Sequence, residues 1–250
     1  MISKDTKDTI ELLKSHTSCR AFTEEAVTAE NIKTILECAQ KAPTSSYLQA
    51  YTIIKVEDEK KREALMEFSG GQEWVVKAPL ALLFCADLHR IEEIVKPEDK
   101  NVLHNEELFT VAVTDAALAG GRALVAAQAL GMGGVIVGGI RNEVEKIGEI
   151  FELPELVFPM FLVCIGHCAE APLQKPRLDI ELICGTDKYP DIVMEKVLEN
   201  EEAVSKCFAE MTGGRSTRGW ISRCQHAISV KPRYHVGDFL RKAGFMTVRK

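Results

Sequence analysis

No internal repeat or low-complexity tract interrupts this 250-residue sequence, so neither a repeat array nor a biased linker organises it. Its start carries Lys4, Asp5, Lys7 and Asp8 close together and lacks the apolar region of an export signal. A cytoplasmic protein is expected on that ground. There is no G-x-S-x-G elbow and no P-loop, and the histidines lack evident partners for nucleophilic catalysis. Cys164, His167 and Cys168 fall within five residues, but no fourth ligand follows at zinc-like spacing. The eight cysteines are scattered, mostly in apolar runs such as Leu83-Phe-Cys85 and Val163-Cys164. They read as reduced thiols rather than a disulfide framework. No metal site is expected, and no catalytic side-chain set.

What is present is a large apolar content, 46% of residues, enough for one sizeable core without a second domain. The net charge of −6 conceals an asymmetry, because Gly213 to Lys250 holds nine Lys or Arg and one acidic residue. Such a tail fits either packing on an acidic body or recognition of a phosphorylated ligand. It lacks the aromatic interleaving expected of nucleic-acid binding.

The chain is organised around residues 108–139. From Leu108 to Leu130 an apolar helix is expected, capped by Asn105, with Glu106 and Glu107 at its positive end and Gly131 as its stop. A helix apolar on nearly all sides should be buried on nearly all sides. Its length of about 34 Å could span a bilayer. Asp115, Arg122 and Gln128 lie within it, and each charge would cost about 2.5–3.5 kcal/mol at a membrane centre. They argue instead for the core helix of a soluble protein, one that a second subunit could share. The small residues Ala116, Ala119, Gly120 and Gly121 would admit another helix closely. A short strand, Val135–Val137, follows with glycines at both ends, which strips side chains from a backbone patch against which something flat can lie. The glycine spacing does not match a dinucleotide-binding G-x-G-x-x-G.

Elsewhere, helices are expected over Thr6–Ser15 with Ile10, Leu12 and Leu13 inward, after a Thr28 cap, from Asp58 through Phe68, and after an Asn142 cap. Strands are expected at Tyr51–Val56, Leu80–Ala86 and Phe158–Ile165, with an acidic helix to about Met211 and two short basic helices beyond. Alternating helices and short buried strands give an α/β or α+β domain around one sheet. The last quarter has little apolar periodicity and is expected to wrap another surface. Arg20, Lys175 and Arg177 are the first candidates for binding a phosphate, with His16 and Ser18 beside Arg20. Binding groups without a catalytic set are what a cofactor enzyme presents.

Six short motifs, in order over nearly the whole chain, resemble the nitroreductase superfamily. They are His16-x-Ser18-x-Arg20-x-Phe22, Ala42-Pro-Thr-Ser-Ser-Tyr-Leu-Gln49, Gly70-Gly-Gln72, Phe84-Cys-Ala-Asp87, Gly133-Gly-Val-Ile-Val-Gly-Gly-Ile-Arg-Asn142 and Lys175-Pro-Arg177. The last two are similar to the oxygen-insensitive major nitroreductase and NADPH–flavin oxidoreductase branch. The resemblance implies an α+β fold with a central sheet flanked by helices, and a homodimer with FMN at the subunit interface. It implies a single domain, 1–250, whose residues 187–250 form an extension over the partner subunit. On the matching positions, His16, Thr17, Ser18, Arg20, Lys175 and Arg177 would meet the FMN ribityl-phosphate. Thr44, Ser45 and Gln72 would bond the ring or ribityl chain, and Ile136, Val137, Gly138 and Gly139 would face the ring. Ser46 and Tyr47 would border the substrate pocket. In this branch an arginine-rich loop before a tryptophan holds the NADPH 2′-phosphate; here Gly213–Trp220 is shorter, with Arg215 and Arg218 as the matching candidates. The activity implied is two-electron ping-pong transfer from NADPH or NADH through FMN to nitroaromatics, quinones or free flavins, without membrane or nucleic-acid partners. A flavin-binding sensor or storage protein is the alternative.

Overall fold

A computed structural model describes residues 4–230 and 232–247. Lys231, Arg249 and Lys250 of the basic tail lie outside the described residues. The chain forms two compact units. The larger holds residues 1–14, 18–171 and 233–250, and the smaller holds 15–17 and 172–232.

In the larger unit, α1 (Lys4–Lys14) and α2 (Ala29–Gln40) precede strand β1 (Tyr51–Lys55). Then come α3 (Glu59–Phe68), α4 (Trp74–Lys77), β2 (Leu80–Asp87) and α5 (His89–Val95). The central helix α6 (Glu106–Ala129), β3 (Gly133–Val137), α7 (Val144–Ile150) and β4 (Val157–Gly166) complete the sheet. The strands run in the order β1-β2-β4-β3, every pair antiparallel. An α+β sheet flanked by helices is what the resemblance implied.

Strand alternation sorts the core into two layers, because successive side chains point to opposite faces. Leu80, Leu82 and Phe84 of β2 join Phe161, Val163 and Ile165 of β4 beneath α2 and α6. Ala81, Leu83 and Cys85 join Leu162 and Cys164 on the other face, with Val135 and Val137 of β3, under α3, α4 and α7. Phe84 and Phe161 stack with centroids 5.4 Å apart, and burying each ring contributes about 1.5–3 kcal/mol. Gly120 makes room for that pair: a Cβ there would stand 2.5 Å from Phe161 Cε2. The expected close approach at the small residues of α6 is thus made partly by a ring from the sheet.

Helix α6 begins as its cap predicts, with Leu108 N donating to Asn105 Oδ1 at 2.9 Å, and Gly131 beyond its end has φ +78°. The expected all-round burial is not found in the chain itself. Ala116, Ala119, Ala123 and Ala127 are fully buried, but Leu118 is 42% exposed and Ala117 and Arg122 are exposed beside it. This face lines a groove of 920 Å³ with Leu13, Thr34, Cys38 and Val125. Ile10 and Leu13, expected inward, are exposed as well, 37% and 55%. One apolar face crosses α1 and α6 and is left uncovered by the described residues.

Two further expectations are corrected. Asn142 does not cap α7; its Oδ1 accepts from Arg233 Nε at 2.9 Å, and Glu143 stands at the cap position without a side-chain bond. The end of the chain also does more than cover another surface. Helix α10 (His235–Lys242), once the smaller unit's α8 (Met194–Met211) and α9 (Trp220–Ser229) are passed, returns to the larger unit. There Phe239, Leu240 and Phe245 pack with Leu88, Leu156 and Phe158. Leu156 N donates to Ala243 O at 2.8 Å and fastens it.

The smaller unit has its own internal ties. Lys196 of α8 pairs with Asp179 at 3.4 Å and with Glu181. The Glu201 carboxylate accepts from Ile221 N at the start of α9, where it satisfies one unpaired helix donor and meets the positive end of the dipole.

Candidate functional site

The glycine-flanked strand is the floor of the site. β3 is an edge strand, and on its free side Ser18 makes a parallel bridge to Gly134, with Cys19 N donating to Gly134 O at 3.0 Å. This one contact lays the Ser18–Phe22 segment along the glycine strand. The burial of β3 is complete except at Ile136, which is 45% exposed while Val135 and Val137 are buried. After Val137 the chain turns through a 3-10 segment, Gly138–Glu143. Gly139 has no room for a side chain there, since a Cβ would stand 2.5 Å from Gln72 Nε2 and 2.7 Å from Ser69 O. Gln72 Nε2 in turn donates to Ser69 O at 2.7 Å, which fixes its amide over the glycine. Gln72, Gly139 and the exposed Ile136 therefore belong to one locality.

Arg20 lies exposed, its guanidinium 5.6 Å from the Trp74 ring and bonded weakly to Ser18 O at 3.4 Å. A guanidinium over an aromatic face keeps its forked donors outward for an anion. Ser18, Arg20, Trp74, Gln72 and β3 are thereby linked through contacts within the larger unit.

The second wall of candidates is the 44–50 loop. Ser45 and Ser46 are exposed, Thr44 is half-buried, and Tyr47 is 83% exposed. Ser46, Tyr47 and Gln49 all have positive φ, at 48°, 60° and 52°. Left-handed backbone at three side-chain-bearing residues is unfavourable by about 1–2 kcal/mol each, so something must impose it. Asp115 of α6 does so. It is fully buried, its Oδ1 accepting from Ser45 N and its Oδ2 from Ala50 N, both at 3.0 Å. Sequence reasoning weighed Asp115 only as a membrane cost; a lone carboxylate in an apolar helix was the signal it gave of a buried anchor.

In the smaller unit, His16 and Thr17 are half-buried. Lys175 Nζ stands 5.4 Å from the Phe208 ring, and exposed Arg177 donates to Lys175 O at 2.9 Å. Arg215 and Arg218 are exposed on the loop before α9, where Arg215 Nε donates to Thr212 O at 2.9 Å. Arg223 was missed. It stacks on Phe208 at 3.2 Å, donates to Arg218 O at 2.9 Å and to Ser216 Oγ at 3.2 Å. Burial and the neighbouring Arg218 charge push its pKa down. Nothing in its local spacing set it apart, because only the fold of α8 brings Phe208 beneath it.

The metal alternative does not form at Cys164, His167 and Cys168. Cys164 points into the core, His167 pairs with Glu25 at 3.3 Å, and the Cys168 thiol sits over Gly133 beside Cys19.

Comparison with known proteins gives the family. The Nitroreductase family model matches residues 13–167, and the model of the Nitroreductase family, C-terminal domain, matches residues 175–248. An FMN reductase (NADPH) of Bacillus subtilis is 35% identical over 244 residues, covering 95% of this chain and 98% of the relative. An oxygen-insensitive NADPH nitroreductase of Salmonella typhimurium is 35% identical over 241 residues, 96% of this chain and 98% of its own. Among solved structures, a nitroreductase from Bacillus subtilis superposes with a TM-score of 0.91 at 34% identity, covering 96% of this chain and 100% of its own. The NADPH:FMN oxidoreductase from Vibrio harveyi, complexed with NAD+, gives a TM-score of 0.88 at 28% identity and covers 96% of this chain and 100% of its own. With both halves of its length matched by the family's models and relatives 35% identical over nearly the whole chain, the chain belongs to the nitroreductase family.

Proposed function

We infer that this chain is an FMN-dependent NAD(P)H oxidoreductase that reduces free flavins, nitroaromatics or quinones. The observation that carries the reading is the β3 floor, where Gly139 excludes a side chain, Gln72 presents an amide, and Ile136 stays exposed on a buried strand. That arrangement fits a flat ring with hydrogen-bonding edges. An FMN held there would supply two-electron, hydride-level chemistry between NAD(P)H and an acceptor.

The protein's own part is to bind and orient. Gln72 and Ser45, with Thr44, would hold the ring and ribityl chain, and Ile136 to Gly139 would form the surface beneath. Arg20 and Ser18 of the larger unit would hold the phosphate; His16, Thr17, Lys175 and Arg177 are the phosphate candidates within the smaller unit. Ser46 and Tyr47 would border the acceptor, and no side chain need serve as acid or base on a fixed substrate. Broad acceptor range follows from that.

The active form is a cytoplasmic homodimer in which residues 187–232 extend over the partner subunit. The uncovered apolar face of α1 and α6 supports the dimer, because a groove carrying Leu13, Leu118 and Val125 is more apolar than an isolated surface favours. Sedimentation at micromolar concentration is expected to give twice the chain mass; a stable FMN-loaded monomer would reject the dimer. For the activity, purified holoprotein is mixed with NAD(P)H and a quinone. Acceptor-dependent NAD(P)H oxidation is expected, whereas a yellow protein without turnover would make it a flavin sensor or store.

A further inference from the structure

The oxidoreductase reading makes no use of the two thiols at the back of the β3 floor. Cys19 follows Ser18 in the segment that bridges to β3, and Cys168 lies in the loop just after β4. Phe22 pairs with Cys168 in an antiparallel bridge made by two hydrogen bonds, Thr23 N donating to His167 O and Ala169 N to Ala21 O, both at 2.9 Å. The two thiols meet at this junction, both crowding the Cα of Gly133, where a Cβ would stand 2.2 Å from Cys168 Sγ, 2.8 Å from Cys19 Cβ and 3.5 Å from Cys19 Sγ. Gly133 is thus the floor of a paired-thiol site. Cys85 and Cys164, by contrast, sit in the sheet core, their pKa values pushed up by burial.

We propose that Cys19 and Cys168 form a redox-active dithiol that peroxides convert to a disulfide, stapling the Ser18–Phe22 segment to the loop after β4. Cys168 is the half-buried member and is the one an oxidant reaches, while Cys19 is 1% exposed. Burial pushes the Cys19 thiol up to about 12, with the Cys168 contact adding to it, so Cys19 does not react first. The Cys168 thiolate attacks one peroxide oxygen, the O–O bond breaks, and Cys168 becomes a sulfenic acid as hydroxide or alkoxide leaves. Cys19 sulfur then attacks the Cys168 sulfur, its proton leaves with the departing hydroxyl as water, and the S–S bond forms. Two electrons pass from the thiol pair to the peroxide in all. The residue most affected is Arg20, next in sequence to Cys19, so the oxidised form shifts the phosphate-binding segment.

The test treats purified holoprotein with hydrogen peroxide and maps the cysteines by peptide mass spectrometry, with Cys168→Ser as the control. The expected result is a cross-link between the Cys19 and Cys168 peptides, lighter by two hydrogens, reversed by dithiothreitol and absent in the variant. Cys19→Ser should leave Cys168 as a sulfenic acid that a dimedone probe labels. If Cys19→Ser fails to fold, the wild-type cross-link and its loss in Cys168→Ser decide the matter alone. Cys168 driven to sulfinic acid with Cys19 still free, or a cross-link joining other cysteines, would overturn the proposal. So would both thiols surviving peroxide unmodified. None of these readouts depends on turnover, so failure here leaves the oxidoreductase reading standing.

Discussion

Replacing Asp115 by Asn tests whether a buried carboxylate shapes the acceptor side of the site. The native side chain offers two oxygens, one to Ser45 N and one to Ala50 N, at 3.0 Å each. The amide keeps the shape but only one acceptor, so one backbone donor must face an NH2 group. A hydrogen bond to a charged group contributes about 1.5–3 kcal/mol, and the orphaned buried donor makes the upper part of that range the better guide. For a chain of this size the loss lowers Tm by roughly 5–10 °C. The three positive-φ residues between the anchors then lose their clamp, and the loop relaxes toward ordinary backbone. Thermal unfolding and steady-state kinetics with a quinone should therefore move together: Tm falls, and KM for the acceptor rises several-fold. Ser46→Gly added to Asp115→Asn should restore part of the lost Tm, since glycine adopts φ near +48° at little cost. Wild-type Tm and KM in the single variant would refute the claim that Asp115 holds this loop.

Other outcomes follow from the same geometry. Arg20→Ala or Arg177→Ala should lower FMN affinity by about one to two decades, read by ultrafiltration of released flavin, and full retention on dilution would reject the phosphate assignment. Gly139→Ala should push Gln72 off Ser69 O and crowd the Ser69 carbonyl, lowering both the apoprotein's Tm and, roughly tenfold, its FMN affinity; equal FMN affinity would show that the glycine does not matter. Arg215→Ala with Arg218→Ala should raise KM for NADPH about tenfold and spare NADH, and equal losses with both nucleotides would give these arginines a structural role instead.

Much of the fold was legible because local rules and burial agreed. Asp58 caps α3 through Phe68 as its sequence predicts, its Oδ1 accepting from Lys61 N at 2.9 Å. The apolar runs at 80–86 and 158–165 became β2 and β4, since a strand buried on both faces has no polar positions to confuse the reading. The failures share one physical cause. Ile10, Leu13 and Leu118 are as apolar as core residues, and a sequence does not say which apolar face meets its own chain. Asn142 could cap a helix, but a long-range partner, Arg233, competes for the same side-chain oxygen. In the candidate site, the glycine-flanked strand was readable as a pattern, while Gln72 entered only through the family resemblance. The Asp115 clamp, the Arg223–Phe208 stack and the paired thiols were not, because each joins residues that only the tertiary fold makes neighbours.

The return of α10 to the larger unit carries a consequence for biosynthesis. Phe239, Leu240 and Phe245 complete a core whose other members, Leu88, Val144 and Phe158, leave the ribosome much earlier. At about 5–20 residues per second, those partners wait several seconds with an apolar surface unfilled. Residues 172–232 are translated in that interval, so the nascent larger unit stays open until the final helix emerges. A ribosome stalled before α10 should hold a chain that recruits chaperones and is cut readily by protease, whereas one stalled well beyond it, on a lengthened C-terminal tether, should hold a chain that resists both.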